Sequence, residues 1–272
     1  METRIKFTGT GGGLLVKFLV GMILSAITLG IYVPWFVVNL TKYIYEHTTL
    51  ETPKGAVSLS FSGTGGQFFL MYIVGVILTM ITLGIYIPWF ITKFIRFFVD
   101  HSTGTGQQGE PYQLHYQGTG GGLFVTFIVG YILTVITLGI YTPWFICKVN
   151  AYLLGETRLM TGEVHLGELA FTGTGGNLFV TFLVGYLLTI ITIGIYGAWF
   201  AVKLIRFNVQ GTQIKIADQV WSGDFDGTGG QLLVLFLVGY ILTFLTLGIY
   251  GAWFTCNLLR FHFDNTRLKP VA

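Results

Sequence analysis

Seven basic residues recur at two fixed offsets, four and seven positions after a tryptophan. They are Lys93 and Arg96 after Trp89, Lys203 and Arg206 after Trp199, Lys42 after Trp35, Lys148 after Trp144, and Arg260 after Trp253; Asn39, Ala151 and Asn257 fill the remaining places. A second chemistry-bearing pattern is a Gly-Thr-Gly-Gly turn that opens each long apolar run, first at Gly9 and last at Gly227. Backbone N–H groups at such a turn attract anions. If turns and cations lie on one side of a membrane, together they could hold lipid phosphates. The competing reading is that the cations snorkel to fix helix depth and that the glycines let a strand meet a helix. A phosphate-binding loop of the Gly-Lys-Ser/Thr type is absent, and Gly9 to Leu14 does not fit the dinucleotide pattern. His47 and His101 each follow an acid, but the other copies have Glu156, Gly211 and Asn265 there, so no metal site is expected. Without a recognisable Ser-His-Asp, Cys-His or paired-carboxylate arrangement, neither an enzyme nor a cofactor is expected.

The elements that position these residues come from a unit that occurs five times. Copies start at Phe7, Phe61, Tyr116, Phe171 and Phe225, and each tryptophan (Trp35, Trp89, Trp144, Trp199, Trp253) comes 28 residues later. This gives repeats 7–60, 61–115, 116–170, 171–224 and 225–272, each completing its packing against its neighbours. With 53% hydrophobic and 10% charged residues, the chain reads as a membrane protein whose expected partners are lipids, not nucleic acid. Four of the five apolar runs carry no charge, and the first carries only Lys17. Such runs match the roughly 20 residues that a helix needs to cross about 30 Å of hydrocarbon. One face of this first helix carries Gly21, Ser25 and Thr28, and the later copies carry Gly75, Thr79 and Thr82; Gly130, Thr134 and Thr137; Gly185, Thr189 and Thr192; and Gly239, Thr243 and Thr246. Small residues at this spacing suit close helix packing or, alternatively, the lining of a polar pathway. The Tyr-x-Pro-Trp string that follows starts a shorter amphipathic helix, with the five tryptophans as membrane-interface anchors.

Period-two alternation before each unit, as in Val57, Leu59 and Phe61, predicts short strands, and turn signals such as Pro53-Lys54-Gly55 make each link a β-hairpin. Residues 2–7 lack an opening partner and residues 266–271 lack a returning one. These ends are expected to pair, closing a pseudo-fivefold ring, or else to join molecules in a homo-oligomer. The positive-inside rule favours two crossings per copy, with termini and basic positions cytoplasmic. The expected fold is thus an all-α membrane protein with small β-hairpins, built from five tandem helical hairpins.

The string from Thr82 to Tyr86 with Pro88 and Trp89, preceded by Phe61, Gly63 and Gly65, and its equivalents in each copy, resembles the YjgN-like family of bacterial inner-membrane proteins. Copies four and five depart from it by lacking the proline. The resemblance implies a multi-pass protein of the bacterial inner membrane and supplies no catalytic residues. Uniform repeats point to a scaffold or self-assembling membrane-organising protein. The alternatives are a channel or carrier lined by the Gly/Ser/Thr faces, and an anionic-lipid-binding module using the basic positions.

Overall fold

The computed structural model describes residues 2–53 and 55–271. Lys54 of the expected turn lies outside the described residues, as do Met1 and Ala272. The first copy contributes β1 (Thr3–Phe7), α1 (Gly11–Ile27), α2 (Val33–Glu46) and β2 (Thr48–Thr52). The second contributes β3 (Gly55–Phe61), α3 (Gly65–Ile81), α4 (Ile87–Asp100) and β4 (Ser102–Thr105). The third contributes β5 (Pro111–Tyr116), α5 (Gly120–Ile136), α6 (Thr142–Gly155) and β6 (Thr157–Thr161). The fourth contributes β7 (Val164–Phe171), α7 (Gly175–Ile191), α8 (Gly197–Gly211) and β8 (Thr212–Ile216). The fifth contributes β9 (Gln219–Phe225), α9 (Gly229–Leu245), α10 (Gly251–Asp264) and β10 (Thr266–Pro270).

The strands correct the expected fold class. They close into one antiparallel barrel in which sequence neighbours are hydrogen-bonded neighbours and β1 lies between β2 and β10. The protein is therefore not all-α with isolated hairpins. Each hairpin has two open edges, and each edge is covered by a strand that the chain reaches only after a pair of helices. That long-range pairing leaves no local trace beyond the alternation itself. The ten crossing helices are corrected too, because no helix among the described residues is long and apolar enough to cross a membrane.

Local chemistry fixes where the helices begin and end. A threonine caps each first helix, with Thr10 Oγ1 accepting from Gly13 N–H at 3.2 Å, and Thr64 and Thr228 form full capping boxes with Gln67 and Gln231. Each first helix stops after 17 residues, a length of about 25 Å. Thr28 Oγ1 donates to Leu24 O at 2.6 Å and accepts from Tyr32 N–H at 3.0 Å, turning the chain back on itself. The second helices end on a hydroxyl that returns to the last turn, such as Thr48 to Ile44 O at 2.6 Å and Thr266 to His262 O at 2.7 Å.

The helices ring one end of the barrel. Asn150 of α6 bonds Asn208 of α8 at 3.4 Å, skipping α7, so these two second helices approach each other past the first helix between them, while the first helices carry the long exposed apolar faces. Strand faces sort by polarity. Asp100 of α4, on the helix side shared by Trp89 and Lys93, reaches His115 at 3.5 Å. His115 and the cross-strand pair Lys6–Glu51 (3.7 Å) therefore belong to the outer surface. Ile5, Leu50, Leu59, Leu114, Leu159, Ile214 and Leu268 share the opposite register and form a half-buried apolar face.

Candidate functional site

The joints between copies account for most of the residues singled out by pattern. Each tryptophan covers the first glycine of the next copy's helix: Trp35 on Gly65, Trp89 on Gly120, Trp144 on Gly175, Trp199 on Gly229, and Trp253 back on Gly11. A methyl group on Gly11 would lie 2.7 Å from Trp253 Cα, so only glycine admits this approach. The tryptophans also stack on the tyrosine three residues earlier, as Tyr32 does on Trp35 with ring centres 6.0 Å apart.

The arginines reach forward in the same direction. Arg96 donates to Gly118 O at 2.7 Å, Arg206 to Phe225 O and Gly227 O at 3.1 Å each, and Arg260 to Gly9 O at 2.9 Å. Lys42, at the equivalent place, is half-buried. The lysines one turn earlier point back toward the helix start: Lys93 Nζ donates to Tyr86 OH at 2.9 Å, and Lys148 and Lys203 sit over Tyr141 and Tyr196 at 5.7 and 5.5 Å.

The small-residue face packs within each copy. A methyl on Gly21 would lie 2.5 Å from Phe36 Cγ, and Gly75, Gly130, Gly185 and Gly239 meet Phe90, Phe145, Phe200 and Phe254 in the same way. Thr79, Thr134 and Thr189 return their hydroxyls to Gly75, Gly130 and Gly185 carbonyls at 2.7, 2.8 and 2.7 Å. Ser25 Oγ and Thr243 Oγ1, at the same position, are buried without partners. Thr82, Thr137, Thr192 and Thr246 repeat the turn made by Thr28. Tyr116 takes the place of phenylalanine at the strand end, and its buried hydroxyl also lacks a partner. Burial pushes that phenol well above its ordinary range.

Two features escaped the pattern reading. The first is the tip of each helical pair. Leu29, Leu83, Leu138, Ile193 and Leu247 are 93–94% exposed, and each adopts a positive φ of 49–52°. The bond from Gly30 N–H to Ser25 O at 2.7 Å closes a Schellman turn around Leu29, in the position usually given to glycine. Below the tip, Val16, Val20, Ile23 and Ile27 continue an exposed apolar stripe, about 20 Å long from Val16 to Leu29. The sequence did show the string five times, as Leu-Gly in four copies and Ile193-Gly194 in the fourth. Its glycine has positive φ as well, and nothing in the string marks the residue before it as left-handed. The second feature is a set of polar side chains between neighbouring second helices, at Asn150, Asn208 and His262.

Five stretches, 2–54, 56–109, 111–164, 167–224 and 221–271, match the model of a family described as bacterial protein of unknown function (DUF898). The chain belongs to this family. Among curated relatives, inner membrane protein YjgN of Escherichia coli strain K12 is 29% identical over 201 residues, covering 66% of this chain and 48% of the relative. The protein of the same name from Salmonella typhimurium strain LT2 is 36% identical over 83 residues, or 30% of this chain and 20% of the relative. The chain thus spans about half the length of the Escherichia coli relative. No solved structure matches. The relatives' names support an inner-membrane location for this DUF898 chain. The multi-pass topology expected with it has no support in helices that are too short to cross, and the assignment of the termini to the cytoplasmic side, which rested on that topology, falls with it.

Proposed function

We propose that this DUF898 protein is a non-enzymatic membrane-organising scaffold that seats its five apolar tips and stripes in the bilayer from one side. The observation that carries the reading is the set of five leucine or isoleucine residues held exposed at positive φ. That backbone region costs an L-residue roughly 1–2 kcal/mol, and glycine or asparagine would relieve it. An apolar side chain kept there five times, with no protein partner, gains from contact with hydrocarbon. A stripe of about 20 Å is shorter than the roughly 30 Å of bilayer hydrocarbon, which fits insertion from one face with local thinning. The tryptophans, set against the starts of the first helices and so away from the tips, suit the headgroup level.

The packing of Gly21 against Phe36 supports this reading over a pathway lined by the Gly/Ser/Thr faces. The carbonyl bonds of Arg96, Arg206 and Arg260 support it over phosphate capture by those arginines. The test is flotation with phospholipid vesicles, comparing the wild type with a variant in which Leu29, Leu83, Leu138, Ile193 and Leu247 are all asparagine. Asparagine accepts the left-handed backbone, so the variant should fold at least as well while losing most vesicle association. Undiminished flotation of a folded variant would overturn the proposal, and solute leakage through vesicles bearing the wild type would point to a pathway instead.

A further inference from the structure

The repeat supplies its own reference for what is unusual. Nine positions after the tryptophan the second helices carry Ile44, Phe98 and Leu153 in the first three copies, but Asn208 and His262 in the last two. Six positions after it, Asn150 stands out among Thr41, Ile95, Ile205 and Leu259. The two offsets meet between α6 and α8, where Asn150 Nδ2 donates to Asn208 Oδ1 at 3.4 Å and Asn208 Nδ2 donates to Leu204 O at 3.0 Å. His262 is half-buried between Phe225 and Phe263, with ring centres at 6.0 and 5.4 Å, and its imidazole has no hydrogen-bond partner among the described residues. His262 and the exposed Asn208 lie on an open groove of about 370 Å³ lined by Leu204, Ile205, Asn208, Val209, Thr212 and His262. Ligand sites commonly occupy roughly 300–1,000 Å³.

We propose that this groove binds an uncharged long-chain amphiphile of the monoacylglycerol or long-chain alcohol class. Its tail would lie on Leu204, Ile205 and Val209 and its hydroxyl between Asn208 and His262. The wall holds no charged side chain, so a charged headgroup would find no counter-charge there. Asn208 and a neutral imidazole each offer both a donor and an acceptor, which matches a hydroxyl, and burial holds the imidazole below its ordinary range. A half-buried imidazole without a partner costs stability. The Leu153 and Ile44 of other copies show what packing alone selects at this position.

Native mass spectrometry of the full chain in detergent, titrated with 1-monopalmitoylglycerol, tests this independently of membrane seating. One equivalent should bind saturably to the wild type. The double variant Asn208→Leu, His262→Leu should bind at least tenfold more weakly while melting no lower than the wild type, because it restores the side chains of the other copies. Absence of saturable one-to-one binding, a double variant within twofold of the wild type, or equally tight binding of palmitate would each overturn the proposal.

Discussion

The joint that closes the ring, between the fifth copy and the first, differs from the four that the chain passes through in sequence. Its strands barely meet: β1 and β10 share the pairs Thr3–Leu268 and Arg4–Arg267, whereas β7 and β8 share five, from Gly167–Ile216 to Phe171–Thr212. One of the two closing pairs sets like charges opposite each other, which disfavours pairing. Glu2 answers this by approaching Arg4, Arg267 and Lys269 at 3.9, 3.7 and 3.8 Å. The helical half of the same joint is complete. Trp253 covers Gly11, Arg260 reaches Gly9 O at 2.9 Å, and Asp264 Oδ1 accepts from Phe7 N–H at 3.0 Å. Closure is therefore carried by the helices, and the strands complete it.

That division of labour is most severely tested at Gly11. Gly11→Val should destabilise the protein by about 3 kcal/mol or more, since the new side chain meets Trp253 backbone as well as its ring. At the neighbouring Gly12 an added methyl would have nothing within 4 Å, and Gly12→Ala should be neutral or stabilising by up to about 1 kcal/mol. Chemical denaturation in detergent separates the two. Equal effects would show that the helical joint does not carry closure.

Arg260 and Ala151 offer a comparison the protein has already begun. Arg260→Ala removes a charge-assisted bond to Gly9 O and should cost about 1.5–3 kcal/mol, with loss of closure visible as proteolysis near the termini. The joint after copy three has Ala151 in this place. Ala151→Arg should raise the melting temperature by giving Gly173 the donor that its counterparts Gly118 and Gly227 have.

Much of this was legible in the sequence because it is local. The Thr-x-x-Gln caps, the proline at the start of α2, α4 and α6, and the fixed spacing of glycine and tryptophan are short-range signals. The barrel was not legible, because its edges are joined by strands separated by two helices, and five isolated hairpins would give the same alternation. Leu29 was missed for a different reason. In Leu-Gly the glycine is the natural choice for positive φ, and Gly30 does have φ +91°, but the leucine before it is left-handed as well. Asn208 and His262 were visible as letters. They became meaningful only when three-dimensional packing placed both on one groove between neighbouring second helices.

Tyr116 sharpens the comparison among the strand ends, where Phe7, Phe61, Phe171 and Phe225 fill the same position. Its hydroxyl is buried and unpartnered, so Tyr116→Phe should stabilise the third copy by about 1 kcal/mol. A loss of stability would mean that the hydroxyl has a role in the joint with Arg96, whose guanidinium lies 6.0 Å from the ring.

The smallest effect belongs to the strand side of closure. The hydrogen bond from Lys269 holds the Asp224 carboxyl below its ordinary range, and the same bond raises the Lys269 ammonium. The contribution of Asp224 is present above the ordinary carboxylate pKa of about 3.9 and is lost as pH falls through its lowered folded value. That of Lys269 is fully present below the ordinary lysine pKa of about 10.4 and is lost as pH rises through its raised one. Melting temperature should thus be level from about pH 5 to 9 as far as this pair is concerned, with a shallow acid limb that Asp224→Asn flattens. Both groups are partly exposed, so 1 M salt should also weaken the limb. An acid limb as steep in Asp224→Asn as in the wild type would move the acid sensitivity elsewhere, first to Glu2, the carboxylate that serves three cations across the closing strands.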